Sequence, residues 1–263
     1  MKKIKLLLAC LAFTILTTAQ TRTGYYYNYD YQTATFSDMA GQDLTCYGIT
    51  AAVQNSVKRD SLKLQMARYR ALYPSAKITA VISTDTSIYT HVHNIKNFET
   101  LKSITFDGYN LEREYWNGAG TFAQWCAWLR IIKNQLGSVE AYLGKLNQVQ
   151  ADSIVKICRK IYLHNYYTID KWSGKYCLDN DNSRMKYLAY ATYKNPAYNN
   201  TTFEVIPLIA NNEQGNGTGF QTSYLTDAAV IYCYQSYRKA LTNSSIQYKT
   251  KLLVQSIQVY KKL

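Results

Sequence analysis

The chain has 263 residues, with 30 Lys and Arg against 17 Asp and Glu, a formal net charge of +13. Apolar residues make up 47% and charged residues only 18%, which leaves material for a full buried core. The lysines are scattered rather than blocked, so the positive balance reads as a solvated surface, with anionic glycans or outer-surface lipids as the alternative and no nucleic acid expected.

Residues 1–19 read as a secretory signal peptide. Lys2, Lys3 and Lys5 give a positive start, an apolar run extends from Ile4 to Leu16, and Thr17-Thr18-Ala19 supplies small residues for cleavage. The competing reading takes Leu7-Leu8-Ala9-Cys10 as a lipoprotein box, although its apolar core ahead of Cys10 is short. Removing the three lysines lowers the charge from +13 to +10. No later stretch approaches the roughly 18 consecutive apolar residues of a spanning helix. An exported chain without an integral membrane segment is therefore expected, in the periplasm, on the cell surface or outside.

Residues 20–43 form a tyrosine-rich extension, Gly24-Tyr25-Tyr26-Tyr27-Asn28-Tyr29-Asp30-Tyr31, without helical period. It reads as an extended segment or arm. From residue 44 to 263 short apolar, β-rich runs alternate with longer amphipathic stretches. The predicted strands are Leu44–Ile49, Ile78–Ser83, Ser103–Glu112, Val139–Leu143, Lys160–Tyr167, Phe203–Ala210 and Ser256–Tyr260. Helical patterns fall between them at Asn55–Leu72, Ile95–Leu101, Thr121–Leu136, Gln150–Arg159, Arg184–Tyr193 and Leu225–Leu241. Pro74-Ser75 and Gly137-Ser138 punctuate two of the boundaries. Such alternation argues for parallel βαβ units, and the expected fold is α/β: a single (β/α)8 TIM-like barrel, whether regular, incomplete or irregular.

Tyrosine is the unusual residue, 26 against 7 phenylalanines. An apolar ring with a hydroxyl suits wet pockets, interfaces and sugar faces. Of the six cysteines, Cys10 lies in the signal, and the other five show no metal or redox spacing. Cys126 and Cys233 read as buried thiols, and one disulfide is allowed but unassigned.

The segment Phe106-Asp107-Gly108-Tyr109-Asn110-Leu111-Glu112-Arg113-Glu114-Tyr115-Trp116 carries its acids on a strand. Burying an unpaired charge costs about 3–5 kcal/mol, so these side chains need a wet pocket. By alternation Asn110, Glu112 and Glu114 share one face, pointing inward near the carboxyl end of a barrel strand, where barrel active sites lie. Tyr109 and Leu111 suit the helix-facing side.

Asp107-Gly108-Tyr109-Asn110-Leu111-Glu112-Arg113-Glu114 resembles the D-G-x-D-x-D-x-E signature of family 18 glycoside hydrolases, the chitinase and endo-β-N-acetylglucosaminidase group. The resemblance implies that this strand is the fourth of the barrel and that Glu114 is the general acid. Glu112 would orient the N-acetyl group that acts as internal nucleophile, with Asp107 and Asn110 in support, a departure from the usual two-carboxylate scheme. Two positions depart from the signature. Asn110 stands in place of an acid, and Glu112 in place of Asp adds a methylene that displaces the carboxylate.

Further substrate-binding candidates follow. Tyr162, His164 and Tyr166 share a strand face, so His164 and Tyr166 are candidates for the pocket; the alternative for His164 is a core histidine bonded to a backbone carbonyl. Trp116 is a sugar-stacking candidate or packs under the next loop. On the last strand the family's floor tryptophan is missing and only Tyr260 is available. Trp125 and Trp128 read as core, Glu213 as a mouth residue or a loop cap. His91 and His93 form a His-x-His pair without a third ligand nearby, so no metal and no cofactor are expected. No phosphate loop, nucleophile elbow or His-Glu-x-x-His motif occurs. The partner the sequence implies is a glycan containing N-acetylhexosamine, to be hydrolysed, or merely bound if the barrel is inactive and serves as a glycan-binding or cell-surface component.

Overall fold

The computed structural model describes residues 22–28, 36, 41–83, 87–164, 182–209, 252–253 and 256–261. In chain order its elements are β1 (Arg22–Asn28), β2 (Asp43–Tyr47), α1 (Ile49–Ala52), α2 (Ser56–Leu72), β3 (Ile78–Ser83), α3 (Ile88–Lys102) and β4 (Gly108–Glu112). After these come α4 (Phe122–Leu136), β5 (Glu140–Leu143), α5 (Gln148–Ile154), β6 (Lys160–His164), α6 (Asn182–Lys194), β7 (Phe203–Ile209), β8 (Leu252–Leu253) and β9 (Ser256–Lys261). Six consecutive strands, β2 to β7, form a curled parallel half-barrel with helices on its outside, TIM-like in general. The same sheet takes in β1, paired with β2 and β9, while β9 also pairs with β7 and β8 lies beside β7.

The helices form where the sequence caps them and gives them one apolar stripe. Asn55 accepts from the backbone N–H groups of Val57 and Lys58 to start α2. Thr121 with Gln124 and Asn147 with Gln150 make reciprocal capping boxes on α4 and α5. The left-handed Gly137 (φ 83°) stops α4. Buried Trp125, Cys126, Leu129 and Ile132 follow the helical repeat, as do Leu62, Met66 and Tyr69 of α2.

Alternation along the strands sorts side chains into two packed layers. Leu44, Cys46, Ile78, Ala80, Ile82, Tyr109, Leu111, Ala141, Leu143, Ile161 and Leu163 pack against the helices. Tyr26, Val81, Tyr142, Tyr162, Ile206 and Leu208 form a smaller cluster inside the curl. Tyr26 is fully buried there, so part of the N-terminal extension, read as an extended segment or arm, is the extended strand β1 of the sheet.

Other boundaries also moved. The strand predicted from Ser103 begins only at Gly108, because Ser103 takes a left-handed conformation (φ 50°) as the C-cap of α3 and the Phe106 N–H is taken by Glu99 Oε1 at 2.9 Å. Helix α3 starts at Ile88, ahead of the predicted Ile95, since Ile88 and Val92 extend the buried stripe of Ile95 and Phe98. Helix α5 ends at Ile154 rather than Arg159. Cys46, Cys126 and Cys158 are buried free thiols; Cys233 and the predicted helix Leu225–Leu241 lie outside the described residues. No described helix is long and apolar enough to cross a membrane.

Candidate functional site

The parallel register fixes which groups meet inside the curl. Ser83 lies opposite Glu112, Val81 opposite Asn110, and Asn110 opposite Glu140. Asn110 and Glu112 therefore share the inner face with Tyr142 and Tyr162, as alternation predicts, while Tyr109 and Leu111 face the helices.

At the carboxyl end of β4 the two glutamates enter one tyrosine cluster. The Tyr26 hydroxyl, from β1, donates to Glu112 Oε2. The Tyr142 hydroxyl, from β5, donates to Glu114 Oε1 at 3.3 Å, and Asn117 Nδ2 donates to Glu114 Oε2 at 2.5 Å. The rings of Tyr26 and Tyr142 lie 6.0 Å apart, within aromatic contact. Glu114 stands just beyond the strand, where Tyr115–Asn117 turns into a short 3-10 helix. Among the described residues neither carboxylate enters an ion pair. Burial pushes the Glu112 carboxyl up to about 7; the bond from Tyr26 opposes this and the neighbouring Glu114 charge adds to it.

Trp116 is half-buried. Its indole lies against Gly144, so closely that a Cβ at Gly144 would come within 2.5 Å of Nε1. Tyr142 flanks it at 5.7 Å between centroids and Tyr115 at 5.1 Å. Of the two sequence readings, packing accounts for this contact. His164 ends β6 with its ring 5.6 Å from that of Tyr142. Burial and the Arg184 charge push its pKa down to about 4, so the imidazole is neutral at pH 7. Tyr47 and Ser83 share a hydroxyl hydrogen bond of 2.8 Å at the same end of β2 and β3.

Not every sequence candidate is brought to this place. Asp107 sits at the opposite, amino end of β4. There its Oδ2 accepts from Arg70 Nη2 at 2.8 Å and from the Ile78 N–H at 2.9 Å. The residue precedes the strand's first ladder position, so it joins α2 to β3 and β4 instead of supporting Glu112. Asn110 is fully buried beneath Glu112, and neither of its amide atoms has a hydrogen-bond partner among the described residues. Tyr260 occupies β9 opposite Tyr26. Tyr166 and Glu213 lie outside the described residues. His93 sits on α3, where its Nε2 accepts from Asn97 at 2.8 Å, and no group of three or more metal-ligating side chains occurs among the described residues.

Below the glutamates, nearer the amino ends of the strands, lies an ionic floor. Lys160 Nζ pairs with Glu140 Oε1 at 2.7 Å, and the Tyr162 hydroxyl donates to Glu140 Oε2 at 2.7 Å. Thr45 Oγ1 donates to the Tyr162 oxygen at 3.2 Å. Gly108 is needed beside this pair, since a Cβ there would meet Glu140 Oε1 at 2.5 Å.

Tyr26 and Tyr142, the partners of the two glutamates, escape a motif-based reading. The signal that could have found them was the tyrosine excess together with strand alternation. A scan against protein-family models finds no match to the chain, and a search of curated proteins finds none.

Proposed function

We propose that this protein is an exported (β/α)8 barrel that binds glycans containing N-acetylhexosamine and hydrolyses them by a substrate-assisted route. Glu114 is the general acid and Glu112 the carboxyl that orients the acetamido group. The carrying observation is the convergence of Glu112 and Glu114 on one tyrosine cluster at the carboxyl end of β4, with no ion pair to either among the described residues. Pairing of β1 with β9 and of β9 with β7 supports closure of the half-barrel into an eight-strand ring. The positive start and apolar run of residues 1–19 support export.

A carboxyl raised to about 7 is partly protonated at neutral pH, so Glu112 can share a proton with the acetamido group it orients.

A second reading rests on a specific contact. Both oxygens of Glu114 accept hydrogen bonds, from Tyr142 and Asn117, the arrangement of an ionised acceptor rather than of an acid holding a proton. That arrangement favours a catalytically inactive barrel that binds glycans or serves as a cell-surface component.

One experiment separates the two. Hydrolysis of a chromogenic N-acetylglucosaminide is measured for the wild type and for Glu114→Gln, alongside binding of N-acetylglucosamine oligomers. Catalysis predicts turnover that falls about 10²–10⁴-fold in the variant. Binding without turnover, unchanged by the substitution, supports the inactive barrel; neither binding nor turnover overturns both.

A further inference from the structure

Strands β5 and β6 pair through Ala141–Ile161, Tyr142–Tyr162 and Leu143–Leu163, and the register goes no further. One residue beyond it, the two strand ends are tied by a side chain. Arg184 Nη1, from the first turn of α6, donates to the Gly144 carbonyl at 2.5 Å and to the His164 carbonyl at 3.0 Å. A cation in the first turn of a helix opposes the helix dipole, so this position is not explained by α6 itself. The two carbonyls are partners that this position does reach.

We infer that Arg184 is a positioning residue of the site: its guanidinium staples the carboxyl ends of β5 and β6 and thereby holds the Gly144 seat on which Trp116 lies beside Glu114. Each link is a contact. The Gly144 carbonyl accepts from Arg184, and the Gly144 Cα carries the Trp116 indole so tightly that no side chain fits between them. Trp116 packs on Tyr142, and Tyr142 donates to Glu114. On the other side Arg184 holds His164, whose ring also packs on Tyr142. A planar guanidinium places one nitrogen between two carbonyls on a stem whose orientation is fixed by α6. A lysine ammonium brings the charge on a flexible stem without that geometry.

The consequence for glycan turnover rests on the function proposed above; the staple itself does not. The test uses the full chain with Arg184→Lys and Arg184→Met, each in the wild-type background and with Trp116→Phe as the reference that isolates the Trp116 emission. The staple predicts that Trp116 emission moves to longer wavelength in both variants, as the indole leaves its seat. His164, followed by NMR, keeps its low titration midpoint in Arg184→Lys, where the charge remains, and titrates at higher pH in Arg184→Met. On the chromogenic glycoside, kcat falls at least tenfold in both variants with a smaller change in KM.

Wild-type Trp116 emission in Arg184→Lys overturns the inference, because a residue that merely docks α6 by its charge would be rescued by lysine. Should Arg184→Met fail to fold, Arg184→Lys decides alone. If the wild type neither binds nor cleaves glycans, the emission and the His164 titration still decide the staple, so its failure is distinct from failure of the glycan reading.

Discussion

Replacing Glu112 by glutamine should stabilise the protein at neutral pH and leave its stability unchanged in mild acid. Burial inside the curl raises the Glu112 carboxyl from an ordinary 4.5 to about 7. The folded state therefore binds this proton more tightly than the unfolded chain does. Between those two values it holds more protons, so stability falls as pH rises through the window; the penalty is absent below 4.5 and complete above about 7. At about 1.4 kcal/mol per pH unit the penalty is about 3 kcal/mol. Since Glu112 retains some surface, about 2–3 kcal/mol is the working range. Glutamine has the same length and keeps an acceptor for the Tyr26 hydroxyl but carries no charge. Urea unfolding of the two proteins at a series of pH values cancels every group they share. The difference should be near zero at the acid end and should reach about 2–3 kcal/mol in favour of glutamine above neutrality. Tyr26→Phe removes the donor that holds Glu112 down, so its titration window should move to still higher pH. A difference that does not vary with pH, or a glutamine variant less stable at high pH, would refute the account of Glu112 as a desolvated carboxyl.

Two further predictions concern the packing around the glutamates. Gly144→Ala places a Cβ about 2.5 Å from the Trp116 Nε1; overpacking of this kind costs about 1–3 kcal/mol, read as a lower melting temperature with altered Trp116 emission, and unchanged values for both would contradict the close seat. Lys160→Met leaves Glu140 with Tyr162 but without its cation. With the paired side chains only 16% and 11% exposed, the loss should be about 3–5 kcal/mol. Adding Glu140→Gln should recover most of it, and a double variant as unstable as the single one would show that the two residues are not coupled.

Much of the curled sheet was legible because β3, β5, β6 and β7 are short apolar runs between amphipathic stretches with recognisable caps. Alternation also assigned Asn110 and Glu112 to the inner face and Leu111 to the outer. The misses have local causes. Ser103 to Asp107 looks like strand by composition, but a left-handed Ser103 and the Glu99 contact to the Phe106 N–H keep it irregular. The run Tyr25-Tyr26-Tyr27 obscured β1, because three like residues in a row carry none of the apolar–polar alternation that marks a strand in a sequence. Asp107 was drawn into the site by its place in a motif, whereas its position one residue before the strand gives it to Arg70. Trp116 shows the limit most plainly. Its neighbours in sequence left it between a sugar platform and packing under the next loop, while its contact with Gly144 depends on the residue that follows β5, 28 residues further on, and no local pattern reports that.

The acids on β4 and β5 share one physical solution, and it explains the tyrosine excess inside the curl. Three inward carboxylates each accept from a phenol on another strand: Glu112 from Tyr26, Glu114 from Tyr142, Glu140 from Tyr162. A phenol supplies a donor without bringing a second charge to be desolvated, and its ring packs in the same step: Tyr26 contacts both Tyr142 and Tyr162 at about 6 Å. Phenylalanine would fill the same volume and leave each carboxylate one donor short; lysine would bring a charge and form an ion pair, as Lys160 does with Glu140. The difference between the pairs is therefore the presence of a cation. Glu140, with both a lysine and a phenol, is locked as part of the floor. Glu112, with a phenol and a neighbouring carboxylate but no cation among the described residues, has its carboxyl pushed by burial up to about 7, so it exchanges its proton near neutral pH.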